Sequence, residues 1–432
     1  MKKFWFLLVA TLLILTGCGS DGEETGTDQN GEGSTETEET TETDAITVWA
    51  WDPAFNIAAL EVAEKYSDFE LNIVENAQDD IVQKLNTGLS SGTLKGMPNI
   101  VLIEDYRAQS FLQAYPDAFF DLSDYINPDD FANYKIGPTS FDGKQYGVPF
   151  DTGVTGLYLR TDYLEEAGYT LEDFQNITWD EYLVLSKDIV EKIGKPMFSS
   201  DPNDLGIIRV MIQTAGSWYV KEDGKTPYIA DNEALKEAFR LYKDFVDSGI
   251  VQEHTDWSQF VGNLNGDVVI STATGNWITP SIKQEESHAG KWGVAPIPRL
   301  NLDGAVNASN LGGSSWYVLN IDGKENAAQF LADTFGSNVD FYQDLVREVG
   351  ALGTYLPATN GEAYKEADEF FGGQSIIQDF STWMDQVPNV NYGMHTYAIE
   401  DILVVAMQNY LSGADLDQVL QDAQAQAESQ LR

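Results

Sequence analysis

Short β-rich runs alternate along the chain with stretches whose apolar residues recur at helical spacing. In the first such stretch Ile57, Leu60 and Ala63 share one predicted helix face. The runs that precede predicted helices are ITVWAW (46–51), FELNIV (69–74) and NIVLI (99–103). Three β-α units in sequence predict an α/β protein with a parallel sheet and right-handed crossovers.

A second series of elements follows, without an internal repeat or a long linker. Strands are predicted at 146–150, 156–160, 196–200, 267–272 and 314–320, and helices at 179–193, from 205, and at 232–247, 324–335, 339–349 and 397–430. The pattern favours two lobes connected by more than one crossing. The candidate crossings are Asp151-Thr152-Gly153 and 310–313.

Polar and aromatic residues stand at the ends of two predicted parallel strands. Trp51 and Asp52 end the first, and residues 104–107 end the third. Ligands collect outside the carboxyl ends of such strands, so both positions are candidate site residues. Asp52 has an alternative role as the cap of the next helix. In TWDEY, Thr178 predicts a helix cap with Glu181 at capping-box spacing.

The first 44 residues differ from the rest of the chain. Two lysines precede an apolar run at 4–15, which is too short to cross a bilayer and predicts a secretory signal over 1–17. Leu15-Thr16-Gly17-Cys18 resembles the bacterial lipobox, which implies a lipid on Cys18; the alternative is an ordinary buried thiol. Residues 18–44 lack aliphatic, aromatic and basic side chains and predict an acidic disordered tether.

The net charge of the chain excludes some classes of binding partner. The chain has 69 acidic and 25 basic residues, a net charge of −44. Removing the ten acids of 18–44 and the two leading lysines leaves 59 acids and 23 bases, a net of −36 for the remainder. Nucleic acid and anionic membrane surfaces are therefore poor partners, because both are bound through clustered Lys and Arg.

Motifs for covalent or metal chemistry are missing from the sequence. His254, His288 and His395 lie far apart, and no GxSxG, Walker, HExxH or dinucleotide motif occurs. We therefore expect a protein that is not an enzyme, with no cofactor and no metal. A secreted glycosidase stays open as an alternative, since two of the many carboxylates can meet by chance.

Several segments together resemble the family 1 extracellular solute-binding proteins of bacterial ABC sugar importers, the maltose-binding-protein-like group. The segments are ITVWAWD, NIVLIEDYRAQSF, DGKQYGVPFDTGVTGLYLRTDYLEEAGY, TWDEY, DVVISTATGNW and GGSSWYV. The resemblance implies a two-lobe periplasmic-binding-protein fold with a ligand cleft between the lobes and a multi-strand hinge. It places the N-terminal lobe at 45–152 plus 313–358 and the C-terminal lobe at 153–312 plus 359–432.

The same resemblance implies which residues contact the sugar. They are Trp51, Asp52, Glu104, Asp105, Tyr106, Arg107, Asp151, Thr152, Asp201, Asn203, Trp277, Ser314, Trp316 and Tyr397. These types suit a sugar, whose C–H faces stack on aromatic rings and whose hydroxyls pair with planar polar groups. The number of aromatic residues hints at more than one sugar ring.

The function implied is an extracytoplasmic receptor for a mono- or oligosaccharide, anchored to the cell membrane through Cys18. The receptor closes on its ligand by hinge motion and delivers it to the permease subunits, and we expect a monomer. A peptide or other solute receptor on the same scaffold is the alternative.

Overall fold

A computed structural model describes residues 45–431. The predicted signal, the lipid site at Cys18 and the tether all lie outside these residues. Within them the strands are β1 Ile46–Ala50, β2 Leu71–Glu75, β3 Ile100–Glu104, β4 Ser140–Phe141, β5 Lys144–Gln145, β6 Gly147–Pro149, β7 Thr155–Arg160, β8 Phe198–Ser200, β9 Val251–Glu253, β10 Ser271–Gly275, β11 Trp292–Pro296 and β12 Ser314–Val318.

The α-helices of the described part surround these strands. They are α1 Ala58–Glu64, α2 Gln78–Ser90, α3 Asp105–Ala114, α4 Ile136–Thr139, α5 Thr161–Ala167, α6 Trp179–Ile193, α7 Gly206–Thr214, α8 Glu233–Asp247, α9 Trp257–Asn265, α10 Thr279–Lys283, α11 Lys324–Asp333, α12 Val339–Val349, α13 Ile376–Met384, α14 Thr396–Leu411 and α15 Leu416–Gln430. Across residues 45–431 none of the helices has the length and apolar character of a bilayer-crossing segment.

Two main sheets organise the chain. The first has the order β2-β1-β3-β12-β6, with β1 parallel to both β2 and β3. This confirms the parallel arrangement predicted for the first three strands. The late strand β12 is antiparallel to β3 and to β6. The second sheet, β10-β7-β11, is antiparallel, and β8 pairs with β9 beside it.

Both sheets are covered by apolar side chains. In the first, Val48 and Leu102 are fully buried in one core, and Val101 faces a second core on the other side. In the second sheet Leu157 belongs to the core formed with α6, α7, α8, α14 and α15. Its neighbour Tyr158 points to the opposite face, as the two-residue period of a strand requires.

The chain passes between the two sheets at 150–154 and returns at 310–313. The two crossings are in contact: Leu311 N–H donates to Gly153 O at 2.8 Å, a backbone pair, and Gly153 N–H donates to the side-chain oxygen Asn310 Oδ1 at 3.0 Å. A Cβ at Gly153 would lie 2.1 Å from Leu311 O. Glycine is required there because any side chain would push the crossings apart.

Local signals place α6 correctly. The helix has the predicted bounds, and the capping box is confirmed: Glu181 N–H donates to Thr178 Oγ1 at 3.2 Å, and Thr178 N–H donates to Glu181 Oε2 at 2.7 Å. Trp179, which follows the cap, is 1% exposed and packs in the core.

Other elements differ from the sequence prediction. The strand predicted at 267–272 forms at β10, because Asp267 adopts a left-handed φ of 58° and the chain turns before it extends. The predicted C-terminal helix is two helices, α14 and α15, separated at Gly413, whose φ is +99°. The strand β11 was not predicted.

Candidate functional site

A cavity of about 220 Å³ lies beside the second sheet. Its wall is formed by the ends of β8 and β10, the start of α7, the segment 254–260 and Leu311 on the returning crossing. A larger groove of about 510 Å³ lies between α3 and residues 389–392. Of its three aromatic lining residues, Trp218 and Tyr392 are only 2% and 3% exposed, whereas Phe141 is half-buried.

Two tryptophans form the aromatic wall of the smaller cavity. The ring centroids of Trp257 and Trp277 are 5.7 Å apart and their planes are inclined by 42°. Trp257, in the first turn of α9, is 54% exposed. Trp277 is partly buried, and its Nε1–H donates to Leu311 O at 2.8 Å. Flat apolar surface is therefore presented to the cavity on a rigid support.

A glycine makes the position of Trp277 possible. A Cβ at Gly275 would lie 2.1 Å from Trp277 Nε1 and 2.9 Å from Leu311 O. The indole thus lies directly over the backbone of β10's last residue, where only glycine leaves space.

Carboxylates surround the aromatic wall. Asp201 accepts a hydrogen bond from Asn203 N–H at 2.8 Å. Asp204 accepts from Gly206 N–H at 2.7 Å, and Asp256 caps α9. Each of these carboxylates keeps lone pairs for ligand hydroxyls, since an ionised carboxylate offers about four acceptor positions.

An imidazole completes this side of the cavity. His254 Nδ1 lies 2.6 Å from Ser199 Oγ, and Asn263 Nδ2 donates to the same oxygen at 2.9 Å. Burial lowers the pKa of His254, against the opposing influence of Asp201, Asp204 and Asp256.

Residues of the first sheet meet the second half of the molecule beside the cavity. Tyr397 O–H lies 2.9 and 2.7 Å from the two oxygens of Glu104, and the Arg107 guanidinium lies 4.0 Å from the Tyr397 ring centroid. Burial raises the pKa of Glu104, opposed by Tyr397 and Arg107. The predicted residues Glu104, Arg107 and Tyr397 are therefore brought together.

A buried arginine connects this group to the cavity. Arg209 Nη1 lies 2.5 Å from Glu400 Oε2, and its Nη2 lies 3.1 Å from Asp204 Oδ1. The guanidinium is also 5.6 Å from the Tyr397 ring centroid. Asp204 thus belongs both to the cavity wall and to the ionic network behind it.

The predicted residues Asp105 and Ser314 lie in the interior where the crossings begin. Lys135, which is fully buried, lies 2.5 Å from Asp105 Oδ2 and donates to Asp151 O and Ser314 O at 2.8 and 3.0 Å. Desolvation raises the pKa of Asp105 to about 6, opposed by Lys135 and by a hydrogen bond from Ser315.

Three further predicted residues, Asp151, Thr152 and Tyr106, are likewise buried. Asp151 accepts from Ser314 N–H, and burial raises its pKa to about 7. Thr152 pairs with the Tyr134 hydroxyl. Tyr106 O–H donates to Asn310 O at 3.2 Å and accepts from Gly312 N–H at 3.2 Å. In this structure these side chains organise the crossings rather than line the cavity.

Trp316 requires a correction. Its indole is fully buried, 5.4 Å from both the Phe150 and Phe335 rings, so no face of it is available to stack on a sugar. At the end of β1, Trp51 packs against apolar residues of the first sheet. Asp52 is exposed and accepts from Ala54 N–H at 3.1 Å, which confirms the alternative capping role. Neither lines the cavity.

Of the predicted residues, Asp201 and Trp277 line the cavity, and Asn203 is adjacent through its bonds to Asp201. Sequence reasoning missed Asp204, His254, Asp256 and Trp257. A signal was available in TDWSQF, where Asp precedes Trp at the start of an amphipathic stretch.

Sequence comparison relates the chain to known transport proteins. The profile of the family described as bacterial extracellular solute-binding protein matches residues 57–372. A lactose-binding protein of Rhizobium radiobacter is 44% identical over 393 residues, which cover 90% of this chain and 93% of that protein. An arabinooligosaccharide-binding protein of Bacillus subtilis is 25% identical over 357 residues, covering 78% of this chain and 77% of that one.

Solved structures share the fold. The GacH receptor of Streptomyces glaucescens superposes with a TM-score of 0.73 at 19% identity, covering 90% of this chain and 98% of its own. The ABC transporter associated binding protein of B. animalis subsp. lactis, in complex with β-1,6-galactobiose, superposes with a TM-score of 0.72 at 21% identity. That match covers 88% of this chain and 96% of the other.

Proposed function

We propose that the chain takes a galactose-containing disaccharide as its ligand. The chain belongs to the bacterial extracellular solute-binding proteins and is a sugar-binding receptor of an ABC importer. The relative that is 44% identical is a lactose-binding protein, and lactose is a disaccharide of galactose and glucose. Its similarity extends over nearly the whole of both chains, which supports a related ligand here.

The observation that carries the proposal is the pairing of Trp257 and Trp277 in one cavity with three carboxylates. The C–H faces of a pyranose stack on indoles, while its hydroxyls donate to Asp201, Asp204 and Asp256. A charge-assisted hydrogen bond of this kind contributes about 1.5 to 3 kcal/mol when it is well made. Two inclined rings suit two sugar units better than one.

Binding proceeds by closure of two lobes around the sugar. The cavity wall comes from the second sheet and Leu311, whereas Glu104 and Arg107 approach from the first. A ligand that contacts both sides only in the closed form shifts the population toward that form. We propose the lobe boundaries 45–152 plus 313–358 and 153–312 plus 359–432, with the hinge at the crossings 150–154 and 310–313 and at the third connection, near 358–359, that these boundaries imply.

The family places the protein outside the cytoplasm. We further propose that residues 1–17 are removed as a signal, that Cys18 carries a lipid anchor, and that 18–44 tether a monomeric receptor near the permease subunits. The receptor performs no covalent chemistry, because transport requires only capture and release of an unchanged sugar.

A calorimetric screen tests the ligand. Lactose and galactose are titrated into the purified chain beside maltose, an arabino-oligosaccharide and a tripeptide. We expect lactose to bind most tightly and the tripeptide not to bind. Tighter binding of the peptide would favour the alternative solute receptor. Release of the chromophore from a nitrophenyl galactoside would instead support a glycosidase.

A further inference from the structure

We infer that His254 is a specificity-determining residue of the cavity, and that its Nε2–H donates a hydrogen bond to an ether oxygen of the ligand. The oxygen is either the pyranose ring oxygen or the glycosidic oxygen, which share the property of accepting hydrogen bonds without donating them. The inference rests on the proposed function, because it takes a disaccharide as the occupant of the cavity.

The imidazole of His254 is held in one orientation. The backbone N–H of His254 donates to Ser200 O at 3.2 Å, which fixes the residue at the end of β9. Its ring lies 5.0 Å from the Phe260 ring at an angle of 30°. With Nδ1 bound to Ser199 on one edge, the opposite edge carries Nε2. A side chain fixed at three points loses little freedom when a ligand binds.

Hydrogen bonding behind the ring determines where its hydrogen sits. Ser199 Oγ accepts from Asn263 Nδ2 at 2.9 Å, and within residues 45–431 the hydroxyl has no acceptor for its own hydrogen other than His254 Nδ1, so we assign that hydrogen to Nδ1. A neutral imidazole that accepts at Nδ1 carries its hydrogen on Nε2. Burial lowers the pKa of His254, which favours the neutral ring at pH 7 even though three carboxylates line the same cavity.

The cavity has an excess of acceptors over nitrogen donors. The side chains of Asp201, Asp204 and Asp256 can only accept when ionised. Trp277 Nε1–H is engaged by Leu311 O, which leaves His254 Nε2 and Nε1–H of the half-exposed Trp257 as the side-chain nitrogens of the wall without a protein partner among residues 45–431. An ether oxygen and an ionised carboxylate both only accept hydrogen bonds, so an ether oxygen of the ligand requires a donor from another group. Within residues 45–431, His254 Nε2 has no hydrogen-bond partner from the protein, so it is available for that oxygen.

A cycle of ligand and protein changes tests this assignment. Calorimetry compares lactose with an analogue whose glycosidic oxygen is sulfur, and with one whose galactose ring oxygen is CH2, on the wild type and on His254→Phe. We expect His254→Phe to bind lactose about tenfold more weakly, as for the loss of one buried hydrogen bond. The wild type should bind one of the two analogues about tenfold more weakly than it binds lactose, whereas the variant should bind that analogue as tightly as it binds lactose. The atom replaced in that analogue identifies the oxygen.

The outcomes separate the two proposals. If lactose does not bind the wild type, the proposed function fails. If lactose binds, but each analogue binds more weakly than lactose by the same factor in the wild type and in His254→Phe, only the inference about His254 is overturned. A separate readout is the ¹⁵N spectrum of the His254 ring, which should show hydrogen on Nε2 in the wild type and a shift toward Nδ1–H in Ser199→Ala. Hydrogen on Nδ1 in the wild type would also overturn the inference.

Discussion

Trp277 combines an exposed ring face with a fixed indole nitrogen. Its Nε1–H is bound to Leu311 O, and the Trp257 ring lies 5.7 Å away, so the orientation of the ring is fixed in the structure. We predict that Trp277→Ala weakens lactose affinity by at least tenfold, since a stacked ring and its apolar contact are lost. Isothermal titration calorimetry measures the change.

A matched substitution controls for loss of folding. Trp383→Ala removes an indole of similar partial burial in α13, which does not line the cavity. Its lactose affinity should equal that of the wild type. Equal affinities of Trp277→Ala and the wild type would remove Trp277 from the site.

Gly275 leaves the space that the Trp277 indole occupies. We predict that Gly275→Ala displaces the Trp277 ring, because its Cβ would lie 2.1 Å from Nε1, and that lactose affinity falls about tenfold. Gly262→Ala is the control, because a Cβ there meets nothing within 4 Å on α9. Calorimetry on both variants measures the effect. A loss of equal size in Gly262→Ala would contradict the explanation.

Single residues show how far sequence reasoning reaches. Gly275 and Asn276 ahead of Trp277 indicate a loop in which a large ring is available to a ligand, and the structure puts that ring in the cavity wall. Trp316 has an equally suggestive setting in GGSSWYV, yet its strand lies inside a sheet covered on both faces. Whether a strand is buried on both faces depends on the helices and loops that pack against its sheet. A local sequence pattern does not predict that packing.

Among the elements, α6 is the one whose start is most clearly specified by local hydrogen bonds. We predict that Thr178→Ala lowers the free energy of unfolding by about 1 kcal/mol, because the backbone N–H and the Oε2 of Glu181 both lose the Thr178 hydroxyl as a partner. Urea unfolding followed by circular dichroism measures this. Lactose affinity should stay unchanged, since α6 does not line the cavity. Unchanged stability would show that the cap contributes nothing.

The accuracy of element prediction follows the strength of such signals. The bounds of α6 were predicted because a cap begins it and Gly194, in a left-handed conformation, ends it. The position of β10 was misjudged because VVI at 268–270 is as apolar as a strand, and only the backbone turn at Asp267 delays the strand. The strand β11 was missed because WGVAP contains Gly and Pro, residues that weaken a strand pattern.

A buried group of charged side chains, Asp105, Lys135 and Asp151, lies where the crossings begin and makes the stability of the molecule depend on pH. Asp151 has a pKa of about 7 and Asp105 of about 6, both raised by burial against the opposing charge of Lys135. A carboxyl whose pKa is raised in the folded state binds more protons when folded. Its contribution to stability is therefore greatest below the unfolded pKa of 3.8 and is lost as pH rises toward the folded value.

We predict that Asp151→Asn removes part of this pH dependence. The amide keeps an acceptor for Ser314 N–H but does not titrate. Between pH 4 and 7 the wild type should lose up to about 1.4 kcal/mol of unfolding free energy per pH unit relative to the variant, the limit for one proton. Urea unfolding at several pH values measures both curves. Parallel curves would show that Asp151 does not titrate in this range.

At this largest scale the sequence predicted the fold class and the two crossings, but not the contacts between the halves. The pairing of Glu104 with Tyr397 joins residues 293 positions apart. Nothing in the sequence YKIGP indicates that Lys135 will be fully buried. Such contacts arise only when separate elements dock.

The close approach of Gly153 to Leu311 limits how this molecule can move. The two connections share a backbone hydrogen bond at that point, and a Cβ at Gly153 would collide with Leu311 O, so they cannot slide past each other without breaking this contact. Leu311 is also the residue that fixes the Trp277 ring. A shift of the Leu311 backbone therefore carries the Trp277 indole with it, so the connections between the sheets and the shape of the cavity wall cannot change independently.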